Sequence, residues 1–64
     1  MLKINGESLD LAGVTLAAYL ADSPFDPRRI AVERNGAIVL KSAYGDTVLT
    51  DGDVIEIVSF AGGG

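Results

Sequence analysis

The stretch Asp51-Gly52-Asp53-Val54-Ile55-Glu56-Ile57-Val58-Ser59-Phe60-Ala61-Gly62-Gly63-Gly64 decides how this chain is read. It opens with a tight turn, in which Gly52 takes the position that needs positive φ. A run of β-branched and apolar residues follows, and side chains alternate along a strand. Ile55 and Ile57 fall on one face; Val54, Glu56, Val58 and Phe60 fall on the other. Both faces are largely apolar, as in a central strand. Beyond Phe60 only Ala61 separates the strand from three glycines.

Residues 61–64 have almost no side chains, and such a segment fits a groove too narrow for bulkier residues. Fully extended, it reaches roughly 13 Å beyond the strand. The functional group at its tip is the α-carboxylate of Gly64. Two readings compete. One is an unstructured end or a cloning remnant without a role. The other is a working carboxylate, presented on a thin tether to a partner's active site. The direct junction of apolar strand and glycines favours the second. The chain therefore divides into a folded domain at 1–60 and a flexible glycine tail at 61–64.

Upstream, the pattern is that of a small α+β sheet. Leu2-Lys3-Ile4 and Glu7-Ser8-Leu9-Asp10-Leu11 alternate apolar and polar on either side of Asn5-Gly6. Asn-Gly is the preferred pair for a type I′ hairpin turn, whose two central residues both have positive φ. Residues 1–11 thus read as an antiparallel hairpin with Leu2, Ile4, Leu9 and Leu11 toward the core. Thr15 is the expected N-cap of a short helix, Leu16-Ala17-Ala18-Tyr19-Leu20-Ala21, with Leu16 and Leu20 on one face. Asp22-Ser23-Pro24 ends it, since the residue before proline avoids the helical region. Two turns of helix do not persist alone and need a sheet to pack on. Ser23 to Arg29, with two prolines, reads as a crossing loop. Ile30 to Arg34 and Ala37 to Leu40 flank a second Asn-Gly pair and form a second hairpin. Ser42 to Gly45 suits a single helical turn, with Tyr44 packing over the sheet edge. In the loop from Gly45 to Gly52, Thr47-Val48-Leu49 dips one or two residues into the core.

Composition excludes several function classes. With 64 residues the chain is one domain. It has no His and no Cys, so the commonest general base, thiolate nucleophile and soft metal ligands are all absent. Those absences argue strongly against an enzyme acting alone. Asp51-Gly52-Asp53 lacks the ligand spacing and closing glutamate of a calcium loop. All five basic residues precede position 42, whereas Asp46, Asp51, Asp53 and Glu56 follow Lys41. That balance argues against nucleic acid, which needs a basic footprint, and for a partner with a basic face. Each of those aspartates reads equally well as a solvated turn carboxylate. No apolar run approaches the ~20 residues of a membrane span, and no stretch of the sequence resembles a signal peptide. A cytoplasmic location is expected. So high an apolar share (48%) in so small a domain leaves apolar surface exposed, often at an interaction site.

The order β-β-α-β-β-β, with the last strand parallel to the first, is consistent with a ubiquitin-like β-grasp, a mixed sheet of four to five strands and one short crossover helix, and the pattern alone also admits a rearranged α+β sheet. On this order, on Val32-Glu33-Arg34-Asn35-Gly36 and on the quoted C-terminal stretch, the chain resembles the ubiquitin-like sulfur carriers, and among them the ThiS family of bacterial thiamine biosynthesis. The resemblance implies a protein that is not an enzyme and binds no cofactor. ATP, used by an E1-like ThiF-type adenylyltransferase, would activate the carboxylate of Gly64. A persulfide relay fed by a cysteine desulfurase would convert it to a thiocarboxylate, and a ThiG-type thiazole synthase would accept the sulfur. Gly62 and Gly63 would form the tail, and Val58, Phe60 and Ala61 would contact partners. Gly64 rather than Gly63 is taken as the working end. The same tail chemistry serves the small subunit of molybdopterin synthase and tRNA-thiolation carriers. The former tends to carry a Pro-Pro segment where this chain has Val58-Ser59-Phe60-Ala61. A non-covalent β-grasp interaction module is the alternative of a different class. Free, the domain is expected to be a monomer. Whether Val58 and Phe60 seal the core's edge or form a docking patch is open at this level.

Overall fold

A computed structural model of the protein describes residues 1–60. Five strands and one helix follow in the order β1 (Leu2–Ile4), β2 (Glu7–Leu9), α1 (Leu16–Ala21), β3 (Ile30–Arg34), β4 (Ala37–Val39) and β5 (Val54–Ser59), with short 3-10 turns at Pro27–Arg29 and Lys41–Ala43. The spatial order is β2-β1-β5-β3-β4. β5 lies in the middle, parallel to β1 and antiparallel to β3, and each outer strand is the hairpin partner of its neighbour. This is the β-grasp arrangement expected from the element order. The helical turn comes slightly earlier than Ser42, the crossing loop contains a 3-10 turn of its own, and β4 and β5 each stop one residue short of the expected end.

Both hairpins turn as their Asn-Gly pairs dictate. Asn5 and Asn35 each have φ of 52°, and Gly6 and Gly36 follow at 84° and 86°, the two positive values of a type I′ turn. Thr15 caps α1, its Oγ1 accepting from the backbone N–H of Ala18 at 3.1 Å. The helix lies across one face of the sheet and buries Leu16 and Leu20 there. The segment from Tyr44 to Leu49 covers the rest of that face. Its backbone ties to the start of α1, Leu16 N–H donating to Thr47 C=O at 2.8 Å and Ala17 N–H to Tyr44 C=O at 3.0 Å. Leu49 and Tyr44 are buried, while Val48 stays half exposed.

The core is the layer between these elements and the sheet. It joins Leu2 and Ile4 of β1, Ile30 and Val32 of β3, and Ile55 and Ile57 of β5 with Leu16, Leu20, Tyr44 and Leu49. Leu9 and Leu11 pack at its margin and are only half buried. Among the described residues, no helix or loop covers the other face of the sheet.

Candidate docking face and tail root

Strand alternation sorts the open face. The buried positions of β3 and β5 are Ile30, Val32, Ile55 and Ile57, so Ala31, Glu33, Val54, Glu56 and Val58 point the other way. The register places Ala31 opposite Val58 and Glu33 opposite Glu56. On β4, Ile38 lies opposite Glu33, and Leu40 continues that strand toward the same end as Val58. Five large apolar side chains therefore stand in water: Val54 at 45% exposed, Val58 at 59%, Phe60 at 55%, Ile38 at 64% and Leu40 at 68%. Val58 and Phe60 lie on this face and not at the edge of the core. Ile38 and Leu40 were not singled out from sequence; counting two residues from the Asn35-Gly36 turn would have placed Ile38 beside Glu33.

The end of β5 is held by one backbone contact. Phe60 N–H donates to the carbonyl of Arg29 at 2.7 Å. That carbonyl sits in a well-tied turn. Arg29 N–H donates to Asp26 C=O at 2.9 Å, and the Asp26 carboxylate caps the turn through Arg28 N–H at 3.0 Å. The Arg28 side chain also reaches Asp26, which lowers the pKa of that carboxyl. Lys41 Nζ donates to Arg28 C=O at 2.9 Å and links the turn to the end of β4. The described chain thus ends at Phe60, beside Val58 and at the end of the sheet toward which Leu40 continues from β4. Ala61, Gly62, Gly63 and Gly64, the expected tail, lie outside the described residues.

Two asparagines do more than turn the chain. Asn5 sits where β1 ends, and its side chain pairs with β5 as a backbone would. Its Oδ1 accepts from Ile57 N–H at 2.7 Å and its Nδ2 donates to Ile57 C=O at 3.1 Å. Asn35 serves the opposite end of β5, its Oδ1 accepting from Val54 N–H at 2.8 Å. Its Nδ2 donates to Asp53 Oδ1 at 3.0 Å. The turn propensity of Asn-Gly is visible in a sequence. The second role needs the neighbouring strand to be known.

Asp53 is the other residue whose role sequence reasoning missed. It is 5% exposed, where a solvated turn carboxylate was one expectation. Its Oδ2 accepts from Arg34 Nε at 3.0 Å and from Thr50 N–H at 3.0 Å. Burial disfavours the charge and is the largest single influence. The hydrogen bonds from Thr50 N–H, Asn35, Arg34 and the Thr50 side chain together outweigh it, and hold the carboxyl at about 2. Asp51 is occupied too, accepting from the N-terminal amine at 2.9 Å. Two of the four carboxylates after Lys41 are thus paired within the domain. The acidity left for a partner is narrower than the sequence implied, and on the open face it is carried by Glu33 and Glu56.

A β-grasp domain whose central strand ends beside an open apolar face, with glycines next in sequence, has the layout of the ubiquitin-like carriers. The profile of the ThiS family matches residues 2–64. The sulfur carrier protein ThiS of Bacillus subtilis is 39% identical over 66 residues, with all of both chains covered. The crystal structure of the thiamine biosynthesis protein ThiS from Geobacter metallireducens superposes with a TM-score of 0.76 at 31% identity, covering 98% of this chain and 97% of that one. The chain belongs to the ThiS family, the sulfur carriers of thiamine biosynthesis. It is also 48% identical over 64 residues to a thiazole synthase of Paramagnetospirillum magneticum, covering 98% of this chain but 20% of that protein. The chain therefore spans about a fifth of the length of the thiazole synthases it matches.

Proposed function

We propose that this chain acts as a co-substrate and not as an enzyme, with the carboxylate of Gly64 as its working group. A carboxylate is a poor acyl donor because oxide is a poor leaving group. A ThiF-type adenylyltransferase, spending ATP, converts it to an acyl adenylate, from which AMP leaves readily. The terminal sulfur of a persulfide, supplied by a cysteine-desulfurase relay, then displaces AMP to form an acyl disulfide, and a thiol of the relay cleaves its S–S bond, leaving the thiocarboxylate and a new disulfide on the relay. A ThiG-type thiazole synthase takes that sulfur. The carrier holds no cofactor in this scheme. Its location is cytoplasmic, alongside those enzymes; among the described residues no helix is long and apolar enough to cross a membrane.

The observation that carries this reading is the corner at Phe60. The hydrogen bond to Arg29 ends the strand at the rim of an open apolar face, so one partner surface can hold the face while its active site takes residues 61–64. The thiazole synthases that contain a segment like this chain support the choice of acceptor. The test is intact-mass analysis after incubation with host extract, ATP and cysteine. An AMP adduct, or oxygen-to-sulfur exchange mapped to Gly64, is expected for the full chain, and neither for the chain lacking Gly64. A truncated chain that still relieved a thiazole auxotrophy would overturn the proposal.

A further inference from the structure

Asn5 and Asn35 are the only side-chain amides in the chain, and each is followed by glycine. An asparagine before glycine is open to attack from within the backbone, because no Cβ hinders the approach of the glycine nitrogen to the asparagine Cγ. A C–N bond forms, Nδ2 leaves as ammonia, and a five-membered succinimide remains. Water then opens the ring at either carbonyl and gives aspartate or isoaspartate. An amide and a water are consumed, a carboxylic acid and ammonia are formed, and no oxidation state changes.

The folded chain opposes this reaction at both sites. Asn35 is tied to the start of β5 by its N–H, which donates to Val54 C=O at 2.8 Å, and by both atoms of its amide. Oδ1 accepts from Val54 N–H at 2.8 Å, and Nδ2 donates to Asp53 Oδ1 at 3.0 Å. Turning Cγ toward the Gly36 nitrogen breaks both side-chain bonds. Asn5 is tied in the same way to Ile55 and Ile57. The two sites differ in cover. Ile57 is buried, whereas Val54 is 45% exposed, so the ties of Asn35 open to water at lower cost. They differ also in product. At Asn5, conversion removes a donor to a backbone carbonyl. At Asn35, it puts a carboxylate oxygen where Nδ2 stood, 3.0 Å from the carboxylate of Asp53, which is buried and poorly screened. Isoaspartate also adds a methylene to the main chain, which disrupts the two-residue turn that sets the register of β3 and β4.

We infer that Asn35-Gly36 is a spontaneous deamidation site, guarded by its own hydrogen bonds to β5, and that the modified chain cannot rebuild the start of that strand. Water is the co-reactant, and opening of the β5 start sets the rate. Asp51-Gly52 can form the same ring, but its attacking nitrogen is occupied, since Gly52 N–H donates to Met1 C=O at 2.9 Å. The modification acts at the end of β5 opposite to Phe60, so it limits the folded lifetime of the domain before it touches the other end.

The test is to incubate the full chain in warm, mildly alkaline buffer, with and without denaturant, and to digest it after lysine and arginine. Peptide 35–41 then holds Asn35 alone, and peptide 4–28 holds Asn5 alone. Mass spectrometry should show the amide-to-acid gain in 35–41 at least about tenfold sooner in denaturant. In the folded chain, 35–41 should convert before 4–28. Equal rates with and without denaturant, or earlier conversion of 4–28 in the folded chain, would overturn the inference. The product is tested by Asn35→Asp, which should lower Tm by at least about 8 °C. Adding Asp53→Asn exchanges amide and carboxylate across the same contact and should restore most of that loss. A single variant as stable as the wild type, or a double variant no better than the single, would refute the clash of carboxylates. Should the single variant not fold at all, folding of the double variant is the deciding readout.

Discussion

The two faces of β5 are made of the same kinds of residue and meet opposite fates. Ile55 and Ile57 are buried, against α1 and the Tyr44–Leu49 segment, whereas Val58 and Phe60 are more than half exposed. Hydrophobicity does not separate the two pairs. Coverage does, because one short helix spans only one side of a five-stranded sheet. An apolar side chain on the covered side contributes to folding, and the same side chain on the open side is free to contribute to binding.

Substitutions break or sharpen that contrast. Ile55→Ala should have the largest effect, because it opens a cavity in a layer that has little else to collapse onto. A cost of about 3 kcal/mol is expected, much of what a domain of this size holds in reserve. Thermal denaturation should show Tm falling by more than about 12 °C. A loss of only a degree or two would mean that the covered face is not the core.

Asp53 comes next, since it holds the start of the same strand. Asp53→Ala leaves Arg34, Asn35 and the Thr50 N–H without their shared acceptor and should cost about 2–3 kcal/mol. The wild type makes the same point with acid. The carboxyl is held at about 2 in the folded chain against an ordinary 3.8, so its contribution is complete above about pH 4 and is lost as pH falls toward 2. Denaturant titrations across that range should show the wild type losing about 2 kcal/mol through this group, and Asp53→Ala losing correspondingly less. Parallel pH profiles for the two proteins would refute the network's role.

The smallest expected effect on folding is the sharpest test of the open face. Phe60→Ala should shift Tm by less than about 2 °C, since the ring stands mostly in solvent. It should weaken binding to the partner enzyme by about tenfold, or 1.4 kcal/mol. If instead Tm falls steeply and binding holds, Phe60 belongs with Ile55 and the two faces are not functionally distinct.

Much of the architecture was legible in the residues. Alternation around Asn5-Gly6 and Asn35-Gly36 placed both hairpins, Thr15 and Pro24 bracketed the helix, and the double-sided apolar run of Val54 to Phe60 marked the central strand. Part of the candidate site was legible too. Val58 and Phe60 could be assigned to one side of β5 by parity, though not to the solvent. Ile38 and Leu40 were within reach of a count from the Asn35-Gly36 turn, whereas the Glu33–Glu56 pair was not, because register between β3 and β5 joins residues far apart in sequence.

By itself, then, the order of residues determined the local elements and their sequence along the chain, since turn geometry, capping and side-chain alternation act over a few neighbouring residues. Only the tertiary structure decided which face of β5 is covered. Pairing across strands also turned Asp53 from a turn residue into a buried acceptor and set two glutamates side by side. Those outcomes depend on what packs against what, and burial and Coulomb energy respond to distance in space, not to separation along the chain.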